Sequence, residues 1–264
     1  TPFVAGASNI GWQKFIFADI LSTLTWAFIC VTVGFIFGKS FELAAVFIGQ
    51  FILAATIIAT LIILLAQYSK QEHRKVSATD VIIFGTCLTF LYLFAVTAQD
   101  IATGKLFHIL DIRTQMLIAN IHTPFITTLM IFFTTLGDQT NMIIFGVILF
   151  LVLLFQRKWW DALLVTTSLG LGGMLINLLK ATFEKARPVG GFIQTYGSSF
   201  PSGHAIMTMI MATLISYTIL RKMQNIYLRN TIATTLYSIA ICISFSRVYL
   251  NVHWTSDVLA GLFA

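Results

Sequence analysis

The chain has 264 residues, of which 58% are hydrophobic and only 10% are charged, and its mean hydropathy is +0.89. A soluble domain of this length carries far more charge on its surface, so the composition excludes an ordinary soluble globular protein. The net charge of +6 is spread over short clusters between apolar runs. That distribution is typical of membrane topology signals and argues against a nucleic-acid partner.

The apolar runs predict an all-α, polytopic bundle of transmembrane helices. A run of about 20 apolar residues crosses the hydrocarbon core of a bilayer as a helix. The runs are continuous and do not alternate with polar residues, which argues against membrane-spanning strands. Spans are predicted at 15–38, 41–67, 79–99, 140–155, 159–180, 204–220 and 230–249, with an eighth beginning near 256.

The segment between the third and fourth predicted spans is more polar than its neighbours. Within it, residues 105–121 predict an interfacial helix, and residues 124–136 predict a short or re-entrant helix.

A charged linker at 68–78 separates a two-helix piece, 1–67, from a C-terminal piece, 79–264. The chain starts without Met and stops nine residues into its last apolar run, so we expect a fragment of a longer protein.

Three polar clusters interrupt the apolar C-terminal piece: KATFEKARP, FPSGHA and SRVYLNVHWTSD. Counting helices places all three at one face of the membrane, because the span from 204 leaves that face and the span from 230 returns to it. Nine of the 16 lysines and arginines fall on the opposite side, which is therefore predicted to be cytoplasmic. The polar residues of interest are Lys180, Arg187, Ser202, Gly203, His204, Ser246, Arg247, His253 and Asp257.

The first part of this set suits an anion. Lys180, Arg187 and Arg247 provide three cations, and the planar fork of a guanidinium matches phosphate oxygens. The sequence PSGH predicts a helix start in which Ser202 caps the helix. Gly203 there lets a ligand approach the free N–H groups.

The second part suits proton and phosphoryl transfer. His253 and Asp257 are four residues apart, which predicts that they share one face of a helix. The carboxylate would hold one ring nitrogen protonated and leave the other free to attack, while His204 would act as a general acid. Together with the cations, this pattern favours phosphoryl transfer. Only one carboxylate, Asp257, is among the nine residues of interest, so we predict neither a metal nor another cofactor.

Each cluster also has a structural explanation when taken alone. A basic residue at the end of a span commonly reaches the lipid headgroups. PSGH alone could be an ordinary helix start, and His253 with Asp257 a structural pair at the interface. The agreement of three clusters at one face favours the catalytic interpretation.

The pattern K-x6-RP, PSGH and SR-x5-H-x3-D resembles the three-part signature of the type 2 phosphatidic acid phosphatase superfamily. That superfamily comprises membrane lipid phosphatases and soluble vanadium haloperoxidases. The resemblance covers about residues 79–264 and implies a six-helix core and metal-independent hydrolysis through a phosphohistidine. It implies that His253 is the nucleophile, that Asp257 orients it and that His204 protonates the leaving group. The implied phosphate contacts are Lys180, Arg187, Ser202, Gly203 and Arg247, supported by Ser246.

Residues 1–67 carry a second resemblance. The PFVAG stretch, the tryptophan that follows it and the GFIFG end are similar to the C-terminal part of the DedA family, whose members are linked to lipid translocation. The alternative is a pair of packing helices whose small residues permit close contact.

The sequence therefore predicts an integral-membrane enzyme that hydrolyses a lipid phosphomonoester or diphosphate, such as polyprenyl diphosphate or phosphatidic acid. Its partners would be this substrate and the surrounding lipids, and its site would face the periplasmic side of a bacterial inner membrane. The alternatives are a DedA-type translocation module fused to a phosphatase domain, and a haloperoxidase. The spans argue against the latter.

Overall fold

The computed structural model describes residues 78–103 and 106–264, together with eight separate helical positions between Ile16 and Val31. Contacts within the chain divide it into two compact units, Thr1–Leu53 and Ala54–Ala264. The predicted linker and the DedA-like features lie outside the described residues. From residue 78 onward, the described residues all belong to the second unit.

This part of the chain is built from helices, and no strand occurs among the residues described. We label its helices in chain order. They are α1 (Ala78–Thr103), α2 (Leu106–Ala119), α3 (Pro124–Leu136), α4 (Gln139–Phe155), α5 (Trp159–Phe183), α6 (Gly203–Thr218), a short 3-10 helix (Leu220–Lys222), α7 (Ile226–Tyr249) and α8 (Thr255–Phe263).

Four of these helices are long and apolar enough to cross a bilayer, namely α1, α5, α6 with its 3-10 extension, and α7. Helices α3 and α4 form a fifth candidate span, bent by 48° between Leu136 and Gln139. The predicted all-α membrane bundle is thereby confirmed. The bend agrees with the short or re-entrant helix predicted at 124–136, and α2 matches the helix predicted at 105–121.

Local signals explain where these helices begin and end. Thr123 caps α3, because its side chain accepts the N–H of Ile126 at 3.3 Å, and Pro124 follows at a position that needs no donor. At the other end of α3, the N–H of Gly137 donates to the carbonyl of Thr134 at 3.0 Å. This tight turn ends α3 before α4 starts and so produces the bend.

Helix α6 is the central element, since it packs against α4, α5, α7 and α8. A close approach joins α8 to the start of α6. A Cβ atom added at Gly261 would lie 2.8 Å from Cβ of Ala205 and 2.9 Å from the carbonyl oxygen of Ser202. In addition, the Ser202 N–H donates to the Asp257 carbonyl at 3.1 Å. The glycine therefore lets the second and third polar clusters pack directly against each other.

Candidate active site

The three polar clusters converge on one cavity of about 910 Å³. Its wall includes the end of α5, the start of α6, the end of α7 and the loop that precedes α8. Six of the nine predicted site residues line it: Lys180, Arg187, Gly203, His204, Arg247 and His253. Asp257, Ser202 and Ser246 are fully buried and are not part of the wall.

His253 has a polar neighbour at each ring nitrogen, although the one at Nδ1 is not close enough in direction and distance to form a hydrogen bond. Nδ1 lies 3.5 Å from Oδ2 of Asp257, and Nη1 of Arg187 lies 3.2 Å from Nε2. A guanidinium can only donate, so Nε2 accepts and the ring proton belongs on Nδ1, facing the carboxylate. This tautomer leaves Nε2 with its lone pair as the atom able to attack.

Burial also suits His253 to a nucleophile's role. The side chain is 2% exposed. Burial lowers the pKa of His253, Asp257 opposes the shift, and the nearby Arg247 and Arg187 add to it, so that the pKa is about 4. The ring is therefore neutral at physiological pH, the form that has a free lone pair.

The prediction that His253 and Asp257 share one face of a helix is wrong. Helix α8 begins at Thr255, and Trp254 is its N-cap, so His253 precedes the helix. Asp257 instead accepts the backbone N–H of Trp254 at 2.9 Å with Oδ2, the oxygen that also faces His253. The two side chains meet because a capping interaction turns the chain at the start of α8.

His204 pairs with a carboxylate that the sequence interpretation did not include. Its Nε2 donates to Oδ1 of Asp138 at 3.1 Å, and Asp138 is the N-cap residue of α4 at the bend. A Cβ added at Gly137 would lie 2.9 Å from Cδ2 of His204. The glycine thus allows the bend to approach the histidine. The polar stretch LGDQT between two apolar runs was the available signal.

The guanidinium of Arg187 is fixed by backbone carbonyls. Nε donates to Gly197 at 2.9 Å, Nη1 to Val252 at 2.7 Å, and Nη2 to Tyr196 at 3.1 Å and Ser198 at 3.3 Å. These bonds tie the loop after α5 to the loop before α8. The fork therefore enters the site already oriented.

Arg247 contributes a second oriented guanidinium. It is 3% exposed, and its Nη1 donates to the hydroxyl of Thr134 in α3. Its Nε is buried without a hydrogen-bond partner among the described residues. A buried unpaired donor in a cavity wall that also includes Lys180 fits an anionic ligand.

The two serines have different surroundings, and their predicted phosphate contacts stay predictions. Ser202 is the N-cap residue of α6, but its hydroxyl makes no capping hydrogen bond, so the predicted side-chain cap is wrong. Its Oγ is buried and unpaired within the described part of the chain. The hydroxyl of Ser246 donates to the carbonyl of Ile243 at 2.6 Å, within α7.

A buried polar network lies behind Asp257. The Nζ atom of Lys185 donates to Oδ1 of Asp257 at 2.9 Å, to Oδ2 of Asp111 at 3.1 Å and to Oγ of Ser256 at 2.7 Å. Burial raises the pKa of the Asp111 carboxyl, against the opposing effects of Lys185 and Ser256. Sequence reasoning missed this network, whose aspartate comes from α2.

The count of one carboxylate at the site is therefore wrong, since Asp138 and Asp111 also belong to it. Among the described residues, no three His, Cys, Asp or Glu side chains are grouped as a metal site. Metal independence stays a prediction.

Away from the cations, the cavity continues as an apolar groove between α4 and α5. One face of α4 lines it from Gln139 to Phe150, and Leu169, Gly170 and Gly173 of α5 face the same space. Eleven helical steps correspond to roughly 16 Å, about half of the ~30 Å hydrocarbon thickness of a bilayer. The cationic end of the cavity thus opens into a groove whose length is about the depth of one leaflet.

Residues 161–264 match the family model described as the PAP2 superfamily. Phosphatidylglycerophosphatase B of Bacillus subtilis (strain 168) is 30% identical over 143 residues, which cover 53% of this chain and 70% of that protein. Lipid A 1-phosphatase of Porphyromonas gingivalis is 32% identical over 108 residues, covering 40% of this chain and 22% of that protein.

A solved structure agrees with these matches. The crystal structure of a transmembrane PAP2-type phosphatidylglycerolphosphate phosphatase from Bacillus subtilis superposes with a TM-score of 0.63 at 27% identity. The superposed part covers 67% of this chain and 89% of the chain in that crystal structure. Fold and site together define a phosphatase embedded in a membrane. The chain belongs to the PAP2 superfamily, which confirms the resemblance carried by its three motifs. The resemblance of residues 1–67 to the DedA family stays a prediction.

Proposed function

We propose that this protein hydrolyses a lipid phosphomonoester or diphosphate through a phosphohistidine formed on His253. The observation that carries the proposal is the cavity lined by His253 and three cationic side chains, which continues into an apolar groove. A polar head and a hydrocarbon chain joined in one molecule match these two parts of the cavity.

The first chemical step transfers the phosphoryl group to the protein. Lys180, Arg187 and Arg247 bind the phosphoryl oxygens and neutralise their charge. Nε2 of His253 attacks phosphorus, a P–N bond forms and the P–O bond to the lipid breaks. The departing oxygen takes a proton from Nε2 of His204. Arg187 lies 3.2 Å from Nε2 before attack and shifts its N–H to the incoming phosphate.

The second step regenerates the enzyme. Water attacks phosphorus, the P–N bond breaks, and inorganic phosphate leaves while His204 recovers a proton from that water. During both steps the ring of His253 is positively charged whenever it carries the phosphoryl group. Oδ2 of Asp257, 3.5 Å from Nδ1, stabilises that charge.

The groove supports a lipid over a soluble phosphate ester as the substrate class. An acyl or prenyl chain in the groove would bury apolar surface at about 25 cal/mol per Å², energy that a soluble ester cannot supply. The relatives named above act, by their names, on phosphatidylglycerophosphate and lipid A 1-phosphate, which share a phosphoryl group on a lipid. The excess of basic residues on the opposite side supports an extracytoplasmic site, and we propose a bacterial inner membrane.

The test is phosphate release by the purified protein in detergent with EDTA present. The panel is phosphatidylglycerol phosphate, phosphatidic acid, a polyprenyl diphosphate and soluble glycerol 3-phosphate. We expect release from at least one lipid, at least 100-fold slower turnover of glycerol 3-phosphate, and loss of activity in His253→Ala. His108→Ala is the matched control, because His108 is an exposed histidine of α2 and does not line the cavity.

Two results would contradict the proposal. Retained activity in His253→Ala would exclude this nucleophile, and equal turnover of glycerol 3-phosphate would exclude a role for the groove. Acid-labile, base-stable labelling of the wild-type protein by a substrate with a radioactive phosphate would identify the phosphohistidine directly.

A further inference from the structure

The catalytic carboxylate is held at both of its oxygens. Oδ1 of Asp257 accepts Nζ of Lys185 at 2.9 Å, and Oδ2 accepts the N–H of Trp254 at 2.9 Å. Oδ2 is also the oxygen that lies 3.5 Å from Nδ1 of His253. Because each oxygen has its own donor, the carboxylate cannot rotate without breaking a buried hydrogen bond. Such a loss costs about 1–3 kcal/mol.

Lys185 differs from the cations that line the cavity. Its ammonium has three N–H donors and three acceptors around it: Asp257, Asp111 and Ser256, at 2.7–3.1 Å. No N–H remains for a phosphate, and Lys185 does not line the cavity wall. Its position five residues after Lys180 in the first motif therefore does not make it a fourth phosphate ligand.

Asp111 anchors this ammonium from a distant part of the chain. It is 3% exposed in α2, and its Oδ1 accepts the N–H of Ser256 at 2.8 Å. Its Oδ2 accepts the hydroxyl of Ser256 at 2.6 Å as well as the ammonium of Lys185. Asp111 thus holds both the lysine and the first turn of α8, the turn that carries Asp257.

The charges of this network depend on the lysine. Two buried carboxylates share one ammonium, and without that cation the pair would hold a proton more readily. The other charged or titratable groups around Asp257 are His253, and further away Lys180 and Arg187. A protonated Asp257 could not stabilise the charged ring of His253.

We propose that Lys185 and Asp111 are positioning residues that keep Asp257 ionised and aim its Oδ2 at His253. The inference concerns the reaction of the proposed function and rests on it for its kinetic consequences. Its structural consequence, the tautomer of His253, does not depend on turnover.

The first readout is kinetic, with Lys185→Met, Lys185→Arg and Asp111→Asn compared with wild type. We expect kcat of Lys185→Met to fall roughly 10–100-fold, the range for residues that orient a ligand from behind. KM should change less than about threefold, because the cavity-lining cations that bind phosphate remain. The acidic limb of its kcat–pH profile should move to higher pH. Lys185→Arg should keep most of the wild-type kcat. The fall in kcat should be smaller in Asp111→Asn than in Lys185→Met.

The matched control is Lys222→Met. Lys222 is a half-exposed lysine whose Nζ lies 3.6 Å from Asp161, in an ion pair outside the cavity. Its kinetics and pH profile should equal those of wild type.

The second readout is the 15N NMR spectrum of the histidine rings in the substrate-free protein in detergent. The network predicts that wild-type His253 is protonated on Nδ1 and that Lys185→Met populates the Nε2–H form. If Lys185→Met does not fold, Asp111→Asn provides the same comparison, with Lys185→Arg as the conservative variant that should keep the Nδ1–H form.

Three outcomes would overturn the inference. They are a wild-type ring protonated on Nε2, wild-type kcat and pH profile in both Lys185→Met and Asp111→Asn, and a rise in KM alone in Lys185→Met, which would make Lys185 a phosphate ligand. Absence of phosphate release by wild type would refute the proposed function instead, and the tautomer would still decide the inference.

Discussion

The two histidines of the site have the same kind of partner in opposite surroundings. Asp257, beside His253, is fully buried, whereas the side chain of Asp138, beside His204, is 50% exposed. The first carboxylate is held by a hydrogen bond at each oxygen, and the second belongs to the N-cap residue of α4, at a bend that solvent reaches. A nucleophile benefits from a fixed orientation, while a proton donor must exchange its proton in every cycle. The contrast fits the proposed roles of His253 as the nucleophile and His204 as the proton donor.

The largest loss of kcat should follow from removing the negative charge of Asp257. Asp257→Asn would lower kcat by about 10³–10⁴-fold, because the amide cannot hold His253 in the Nδ1–H tautomer. Turnover of substrates with good and poor leaving groups should fall equally, since the attack itself is impaired. Asp161→Asn is the control, because its partners, Arg221 and Lys222, lie outside the cavity. Unequal loss would show that Asp257 also serves the leaving group.

The second-largest loss of kcat should follow from crowding the ring of His204. In Gly137→Ala the new Cβ would lie 2.9 Å from Cδ2 of His204 and would clash with Ile243, so the ring must move from Asp138. We expect kcat to fall about 10–100-fold, with a loss of about 1–3 kcal/mol in stability from overpacking. Gly170→Ala, in α5, is the control for adding a methyl group, because an added Cβ there meets nothing within 4 Å, and its kcat should equal that of wild type. If Gly137→Ala is destabilised but keeps the kcat of wild type, the bend at Gly137 has no role in catalysis.

Neutralising the exposed carboxylate should have a smaller and selective effect. Asp138→Asn would lower kcat about tenfold for a phosphomonoester, whose alkoxide leaving group needs a proton. A diphosphate, whose leaving phosphate is a weaker base, should be nearly unaffected. The ratio of the two rates is the measurement. If kcat falls equally for both substrates, Asp138 does not act through the leaving group, and the proposed difference between the two histidine–aspartate pairs is wrong.

The pH dependence of kcat/KM tests the proposed role of His253 as the nucleophile. Burial lowers the pKa of His253 to about 4, and the ring attacks only when neutral. Therefore kcat/KM should fall tenfold per pH unit below about pH 4 and should show no titration of His253 between pH 5 and 7. A midpoint near 6.5 that disappears in His253→Ala would contradict the buried, neutral ring.

The smallest effect on kcat should come from a substitution in the apolar groove, which contacts neither of the two histidine–aspartate pairs. An added Cβ at Gly173 meets nothing within 4 Å, so Gly173→Phe places its ring in the groove without crowding the protein. We expect KM for long-chain lipids to rise about tenfold, with unchanged kcat and unchanged KM for short-chain analogues. Leu171→Phe is the control, since Leu171 is exposed on α5 and does not line the cavity. A fall in kcat would mean that the ring disturbs the cations.

Much of this protein could be derived from its sequence because the membrane simplifies the problem. Long apolar runs must form helices to satisfy their backbone hydrogen bonds, and the number of spans then decides which ends share a face. That count is sufficient to bring Lys180, His204 and His253 together. Three motifs with fixed spacing led from there to the PAP2 superfamily.

The tertiary structure alone decided which groups stand behind the histidines. Asp111 lies 145 residues from Ser256, and Asp138 lies 66 residues from His204. No helical periodicity relates such positions, because their contact depends on the bend between α3 and α4 and on the packing of α2 against α8. Spacing was also misleading at close range. His253 and Asp257 are four residues apart, yet a cap and not a helix face joins them. Local hydrogen-bond geometry, which spacing does not encode, determines where a helix starts.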